Sequence, residues 1–530
     1  MRKLRGTLLL LAALVLAVPA LAACDDDGPP TVDERFAAFL AAWRKADFAG
    51  VPDLLSPQGR ALDAAGAGAA LASAEGELAV NRPTLTPHGK AAVDHADATL
   101  SVGVSWTLPG GRTWAYDTTL RARLLSQRWH VYLGPETVHP GLQTGQRMTL
   151  RTTPAKRGVV AAGDGTPIVT DTPVVYVGVE PQRVPDVDAL VQRLGIVFKS
   201  VRVEVDVQGL PARIKAAKPD AFVDVVTLRR SDFDEISADL DATAGVRTRT
   251  GTLSLAMTRS FARGLLGTSG PATKELIDAS KGALRAGDVA GLTGLQRTYD
   301  AQLRGVPGLS VVPVEAPPAA SPGPSASPSA PVPVPVPAAA GKAGDPLFTA
   351  PPQDGATIAT TLDVRVQQAA DAAVAKTAKQ SALVAVRISD GAVLAVANGP
   401  DAAGYDLALL GEVAGPAWPG DPAALGVGAP WRLGAEVFAG RTGPGGVVAA
   451  PIGYAAAAAA LARGKWQQPV LVKNPSPGDP APAGPAVSGA LNVPGLSVGV
   501  RGDIAYCVYV TDAGADVTGP IAETFLNAVK

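Results

Sequence analysis

The chain has two cysteines, four histidines and three methionines in 530 residues, and only 5% of it is aromatic. So few cysteines exclude a disulfide-stapled scaffold. The histidines His88, His95, His130 and His139 all precede Gly141 and show no metal-ligand spacing, with no cysteine near them, so neither the histidines nor the cysteines suggest a metal site. A formal net charge of -1 with no basic stripe argues against a nucleic-acid partner. There is no phosphate-cradling glycine loop and no His-Glu-x-x-His, so no cofactor is expected. Beyond the N-terminus, no apolar run is long enough to cross a membrane.

What is present begins at the N-terminus. Arg2, Lys3 and Arg5 form a basic start, and Thr7–Val18 is an apolar stretch too short to span a bilayer. It ends in Leu21-Ala22-Ala23-Cys24, which resembles the lipobox of bacterial lipoproteins. That resemblance implies removal of residues 1–23 as a signal peptide and diacylglycerylation of the Cys24 thiol. Cys24 is thus the expected lipidation site, and the cell membrane is a partner through it. The expected location is the outer face of the cytoplasmic membrane. Each buried methylene adds about 0.8 kcal/mol, so two acyl chains anchor where one is marginal. An ordinary secretory signal with a chance cysteine is the blander reading; the small residues before Cys24 and the acidic Asp25-Asp26-Asp27 after it favour the lipid. Cys507, in DIAYCVYV, then has no disulfide partner in the chain and reads as a small core residue.

Residues 24–148 read as a small α+β domain. Val32–Ala49 places Phe36, Phe39, Leu40 and Trp43 on one helical face, with Asp33 as a candidate cap, and a second helical stretch covers Ala61–Ala72. Alternating segments from Glu77 to Leu133 predict an antiparallel sheet with a Gly110-Gly111 turn. Trp129, followed by Glu136-Thr137-Val138-His139-Pro140-Gly141-Leu142, resembles the close of the cone-shaped, nuclear-transport-factor-2-like N-terminal domain of resistance-type penicillin-binding proteins. His139 precedes a proline, which favours extended backbone at a domain junction and a structural role.

Residues 149–314 mix predicted strands (VVYVGVEP, VRVEVDVQ, AFVDVVTLR) with a helix over Pro185–Leu194, where the proline suits the first turn. Arg157-Gly158-Val159-Val160-Ala161-Ala162-Gly163-Asp164-Gly165 resembles the element that opens the dimerisation, or pedestal, module of the same family. Ala162 and Gly163 stand where that element has an aspartate and an arginine, so its usual ion pairing is lost. Residues 315–345 are a Pro/Ala-rich linker that favours polyproline II and buries too little to fold.

Residues 346–530 carry a third likeness. Thr360–Asn398, with Gly404–Leu409 (GYDLAL) after it, resembles the start of a class B penicillin-binding-protein transpeptidase domain. Val364–Ala375 is its expected helix, with two strands joined at Ser389-Asp390-Gly391. Gly446–Pro451, the helix Ile452–Arg463 and Pro469–Val472 resemble a later segment of that domain, and IAYCVYV with GPIAETFLNAV its close. The implied fold class is a multidomain α+β protein: the N-terminal cone, the α+β pedestal module, and a truncated serine-transpeptidase/β-lactamase-like α/β domain.

The chemistry of that family needs a Ser-x-x-Lys pair on one helix face, a Ser-x-Asn and a Lys-Thr-Gly strand. None of the three occurs in the 530 residues. Where the nucleophile is due, Gly411–Trp431 reads GEVAGPAWPGDPAALGVGAPW, without serine or lysine. Thr153-Pro154-Ala155-Lys156 has the spacing but contains a proline and lies in the pedestal module. Gly495-Leu496-Ser497-Val498-Gly499 matches a nucleophile elbow in letters only, since a strand follows and no histidine comes later. Asp232 and Asp234 sit on what reads as a solvated helix start. No catalytic residue is therefore expected. The resemblance implies a catalytically inactive scaffold or regulator in peptidoglycan biogenesis, with peptidoglycan or cell-wall synthesis and division proteins as partners. β-Lactam held without a covalent bond is a further ligand it allows. Two alternatives stand beside it: a penicillin-binding transpeptidase with an unrecognised nucleophile, and glycan or small-ligand binding through the cone.

Overall fold

The computed structural model describes residues 29–201, 203, 205–316, 344–401, 406–415, 418–473, 493 and 495–530. The signal segment, Cys24, most of the linker, and Gly404 with Tyr405 lie outside the described residues. The chain divides into two compact units, Met1–Leu150 with Val311–Phe348, and Arg151–Ser310 with Thr349–Lys530.

The first unit opens with the helix Val32–Lys45. Its cap is Thr31, not Asp33: the Thr31 hydroxyl accepts from Glu34 N–H, and the Glu34 carboxylate accepts from Thr31 N–H at 2.7 Å. Asp33, one residue inside the helix, instead accepts from Ala91 N–H at 2.8 Å. Phe36, Phe39 and Trp43 follow the helical repeat and are fully buried. The second helix runs Ala64–Glu75 behind an Asp63 cap, while Ala61–Leu62 pairs as a strand with Leu54–Leu55. The sheet is dominated by Asp97–Leu108 and Arg112–Leu125, paired antiparallel from Asp97↔Arg123 to Leu108↔Arg112. Strict alternation of buried and exposed residues along Asp97–Leu108 is what a sheet with one wet face requires.

In the second unit the long strand Pro167–Val179 pairs antiparallel with Val223–Arg229 and with Val246–Ala256. Helices Val187–Ser200, Leu210–Ala216 and Arg230–Asp241 contribute to one apolar core with this sheet. Asp186 caps the first of these helices, which leaves Pro185 ahead of it and not in its first turn. The predicted strand over 201–208 does not form among its described residues. Val203 N–H bonds back to Phe198 O at the helix end, and Val203, Val205 and Val207 pack on the core from that loop.

Thr349–Lys530 folds as three layers. A four-stranded antiparallel sheet has the order Val393–Asn398, Ser381–Arg387, Ile504–Val510, Leu496–Arg501. Helices Val364–Val374 and Ala515–Ala528 share an apolar core with its strands, and Pro451–Arg463 packs into a different core that also contains them. Covered on both faces, Ser381–Arg387 reads as a continuous apolar run, not an alternating one. This layer shares its core with the pedestal: Val160, Ile168, Phe261, Leu265 and Tyr299 belong to one cluster with Val384, Val396, Ile452, Tyr454 and Cys507. Backbone pairing adds to the bond, since Ile358–Ala359 lies parallel to Val160–Ala161. Among the described residues no helix is long and apolar enough to cross a membrane.

Candidate functional site

The place to test for chemistry is the stretch after the strand Val393–Asn398. Asn398 Nδ2 donates to Asp406 Oδ1 at 3.0 Å, and its Oδ1 accepts from Ala408 N–H at 2.9 Å. Asp406 in turn caps the short helix Leu407–Leu410. Burial pushes the Asp406 carboxyl up to about 6, against the hydrogen bonds from Asn398 and the backbone that favour its charged form. Gly264 of the pedestal module closes over this pair; a Cβ there would stand 2.8 Å from Asn398 Nδ2.

A cleft of about 610 Å³ opens beside Asp406, lined also by Thr293, Arg297, Thr298, Leu410 and Glu436. Among the described residues no serine, lysine, cysteine or histidine lines it. Its two hydroxyls are engaged: Thr293 Oγ1 accepts from Thr268 N–H at 3.0 Å, and Thr298 Oγ1 donates to Gly294 O at 3.2 Å. A buried carboxyl is present, but among the described residues no serine, lysine, cysteine or histidine faces it.

From Gly411 the chain builds an aromatic plug. Val413–Gly415 pairs with Gly446–Ala449, and Tyr454 Oη donates to Val413 O at 2.8 Å. Trp418 packs against Tyr454 with ring centres 5.2 Å apart and planes tilted by 44°. Asp421 caps the 3-10 turn Pro422–Leu425, after which Trp431 Nε1 donates to Gly426 O at 2.8 Å and its ring lies 5.4 Å from Trp466. Leu425, Trp466, Ala456, Ala457 and Ala460 form one buried cluster. The alanine run Ala455–Ala460, at most 6% exposed, is short-chained because two layers close on it, the sheet and this plug.

A second buried carboxyl lies on the helix Val364–Val374. Asp371 Oδ2 accepts from Ala262 N–H at 3.2 Å and Oδ1 from Gln367 Nε2 at 3.0 Å. Gln367 also bonds both Val396 N–H and Val396 O. Burial pushes Asp371 up to about 7. The pair ties helix, sheet and pedestal loop together, and its atoms are committed to that.

Two domain families match this chain. The NTF2-like N-terminal transpeptidase domain matches residues 31–146, and the penicillin-binding protein dimerisation domain matches residues 152–318. The chain has a class B penicillin-binding-protein-like architecture. No curated protein matches it. Neither family match reaches past residue 318.

In this penicillin-binding-protein-like chain the residues weighed from sequence fall as follows. Cys24 lies outside the described residues, as do Gly404 and Tyr405 of GYDLAL. The stretch where a Lys-Thr-Gly strand is due, residues 486–503, lies outside them at 486–492 and 494, and its described part forms the edge strand Leu496–Arg501, which contains no lysine. His139 is buried between Trp114 and Tyr116, ring centres 5.3 and 4.3 Å away, and its Nδ1 accepts from Gly141 N–H at 2.9 Å. Burial pushes its imidazole down to about 4, so it is neutral at pH 7. His88, His95 and His130 each sit beside an aspartate, Asp117, Asp94 and Asp53. No group of three or more His, Cys, Asp or Glu suited to a metal ion occurs among the described residues. Ser497 is a plain strand residue opposite Val508. Asp232 pairs with Arg259 and Asp234 with Arg230 on an exposed helix start. Burial raises the Cys507 thiol.

Arg157 keeps an ion pair despite Ala162 and Gly163. It donates to Asp300 Oδ1 at 2.8 Å, with both side chains largely buried. Gly163 O accepts from Lys473 Nζ at 2.8 Å. Sequence reasoning missed the buried pairs Asp371–Gln367 and Asp406–Asn398. Only the i, i+4 spacing of Gln367 and Asp371 hinted at the first.

Proposed function

We propose that this protein is a lipid-anchored, extracytoplasmic member of the cell-wall machinery that holds partners without cutting or joining them. In this reading it is a catalytically inactive scaffold or regulator of peptidoglycan biogenesis, and residues 346–530 are a degenerate transpeptidase-like domain. The observation that carries the reading is the plug. Where the family presents a serine and a lysine, Gly411–Trp431 supplies neither, and its described residues pack Trp418, Leu425 and Trp431 toward the helix Pro451–Arg463 and Trp466. The adjoining cleft holds a buried carboxyl with no serine, lysine, cysteine or histidine among its described lining residues. In the family's acyl transfer the serine oxygen bonds the β-lactam carbonyl carbon, the ring C–N bond breaks and the nitrogen takes the proton, so nothing leaves and an enzyme would gain the mass of the drug. Intact-mass measurement of the full chain after prolonged exposure to benzylpenicillin is expected to show the unmodified protein. A covalent penicilloyl adduct sinks the proposal.

A further inference from the structure

At one end of the first unit's sheet two hairpin tips meet. Ala92–Asp94 turns through His95 into Asp97–Leu108, and Arg112–Leu125 turns through Ser126 and Gln127 into Arg128–Tyr132. Leu124 N–H donates to Ala96 O at 2.7 Å, tying the tips together, and Leu124 lies opposite Trp129. Beside them is a groove of about 680 Å³ whose lining includes Pro29, Pro30, Val93, Leu124 and Trp129 and, among the described residues, no charged side chain. Val93, which lines this groove, is 55% exposed, and Leu124 is 36% exposed. The rim is charged, with Arg123 near Asp97, Arg128 near Asp53 and His95 on Asp94.

The position of this groove in the chain says what covers it. Pro29 is five residues after Cys24. At about 3.3–3.6 Å per residue, a lipid on Cys24 is held within about 18 Å of the groove. So short a tether makes contact with the bilayer intramolecular, and a modest apolar patch is then enough. Leucine, valine and tryptophan inside a rim of charged pairs suit the headgroup–acyl boundary. We propose that this hairpin-tip face seats on the phospholipid surface to which Cys24 is anchored, so that the lipid orients the first unit as well as retaining it. The inference rests on the lipid-anchor reading of Cys24.

The test uses the full-length protein recovered from membranes and placed in phosphatidylglycerol/phosphatidylethanolamine vesicles. With Cys24 acylated and Cys507 buried, Val93→Cys offers a single reactive thiol for an environment-sensitive fluorophore. Val80→Cys serves as the control: Val80 is 88% exposed, and its neighbour Asn81 bonds Thr107 O at the far end of the long hairpin, about 30 Å away. The label at residue 93 is expected to shift to the blue, to be quenched by lipid-borne spin labels and to be shielded from iodide. The label at residue 80 should show the reverse. Adding Leu124→Asp should abolish the shift at 93 while the acylated protein stays with the vesicles. Acylation is read separately from the mass of the N-terminal peptide. An acylated Cys24 with residue 93 open to iodide overturns the docking face alone, whereas an unacylated Cys24 overturns the anchor and the docking face together.

Discussion

Gly426 and Trp466 compete for the same space. A Cβ on Gly426 would stand 2.2 Å from Cζ2 of the indole, and the glycine also holds a left-handed φ of 82° as it ends the turn Pro422–Leu425. The plug on the helix Pro451–Arg463 closes only because this residue has no side chain.

Gly426→Ala should therefore destabilise the second unit by about 1–3 kcal/mol, from overpacking together with a strained backbone. Differential scanning calorimetry of the full chain reads it as a lowered midpoint for one transition. An unchanged thermogram would show that the plug does not close on Trp466.

Asp300→Ala should cost more. It leaves the Arg157 guanidinium, 9% exposed, without its carboxylate, and it also removes the acceptor for Gly291 N–H. Breaking a buried pair from one side costs about 3–5 kcal/mol. The expected result is a clear drop in the urea midpoint of the second unit, followed by far-ultraviolet circular dichroism.

His139 makes the first unit sensitive to acid. Its imidazole falls from 6.5 in the unfolded chain to about 4 when buried, so the unfolded state binds more protons between those values. Its contribution is complete above about 6.5 and is lost as pH falls toward 4. His139→Phe, which keeps a ring between Trp114 and Tyr116, should flatten that part of the stability–pH curve. An equally steep curve in the variant would assign the acid sensitivity elsewhere.

Asp371 has the opposite sign. Its carboxyl rises from 3.8 to about 7 on folding, so the folded state takes up the proton. The contribution is complete below about 3.8 and is lost as pH rises through 7. Asp371→Asn should remove the corresponding loss of stability between pH 4 and 8, measured by urea unfolding at each pH. A variant with the wild-type slope would show that Asp371 does not titrate in this range.

The local signals were strong enough to be read from the chain alone. Helical spacing of Phe36, Phe39 and Trp43, alternation along Asp97–Leu108, the Arg157-Gly158 element and the absence of Ser-x-x-Lys are one-dimensional facts, and two domain families match where the first three lie. Local competition blurred the finer points. Thr31 and Asp33 are both good caps, and Thr31 wins because Glu34 can answer it in a capping box. The valines at 201–208 alternate like a strand, yet Val203 N–H bonds the preceding helix end and they pack from a loop. Tertiary structure alone decided how the segment after Leu410 packs. Trp418, Trp431 and Trp466 are separated in sequence and meet only when the helix Pro451–Arg463 lies between the sheet and the segment after Leu410. It also decided the charge states of Asp371, Asp406 and His139, since desolvation depends on neighbours that chain order does not reveal.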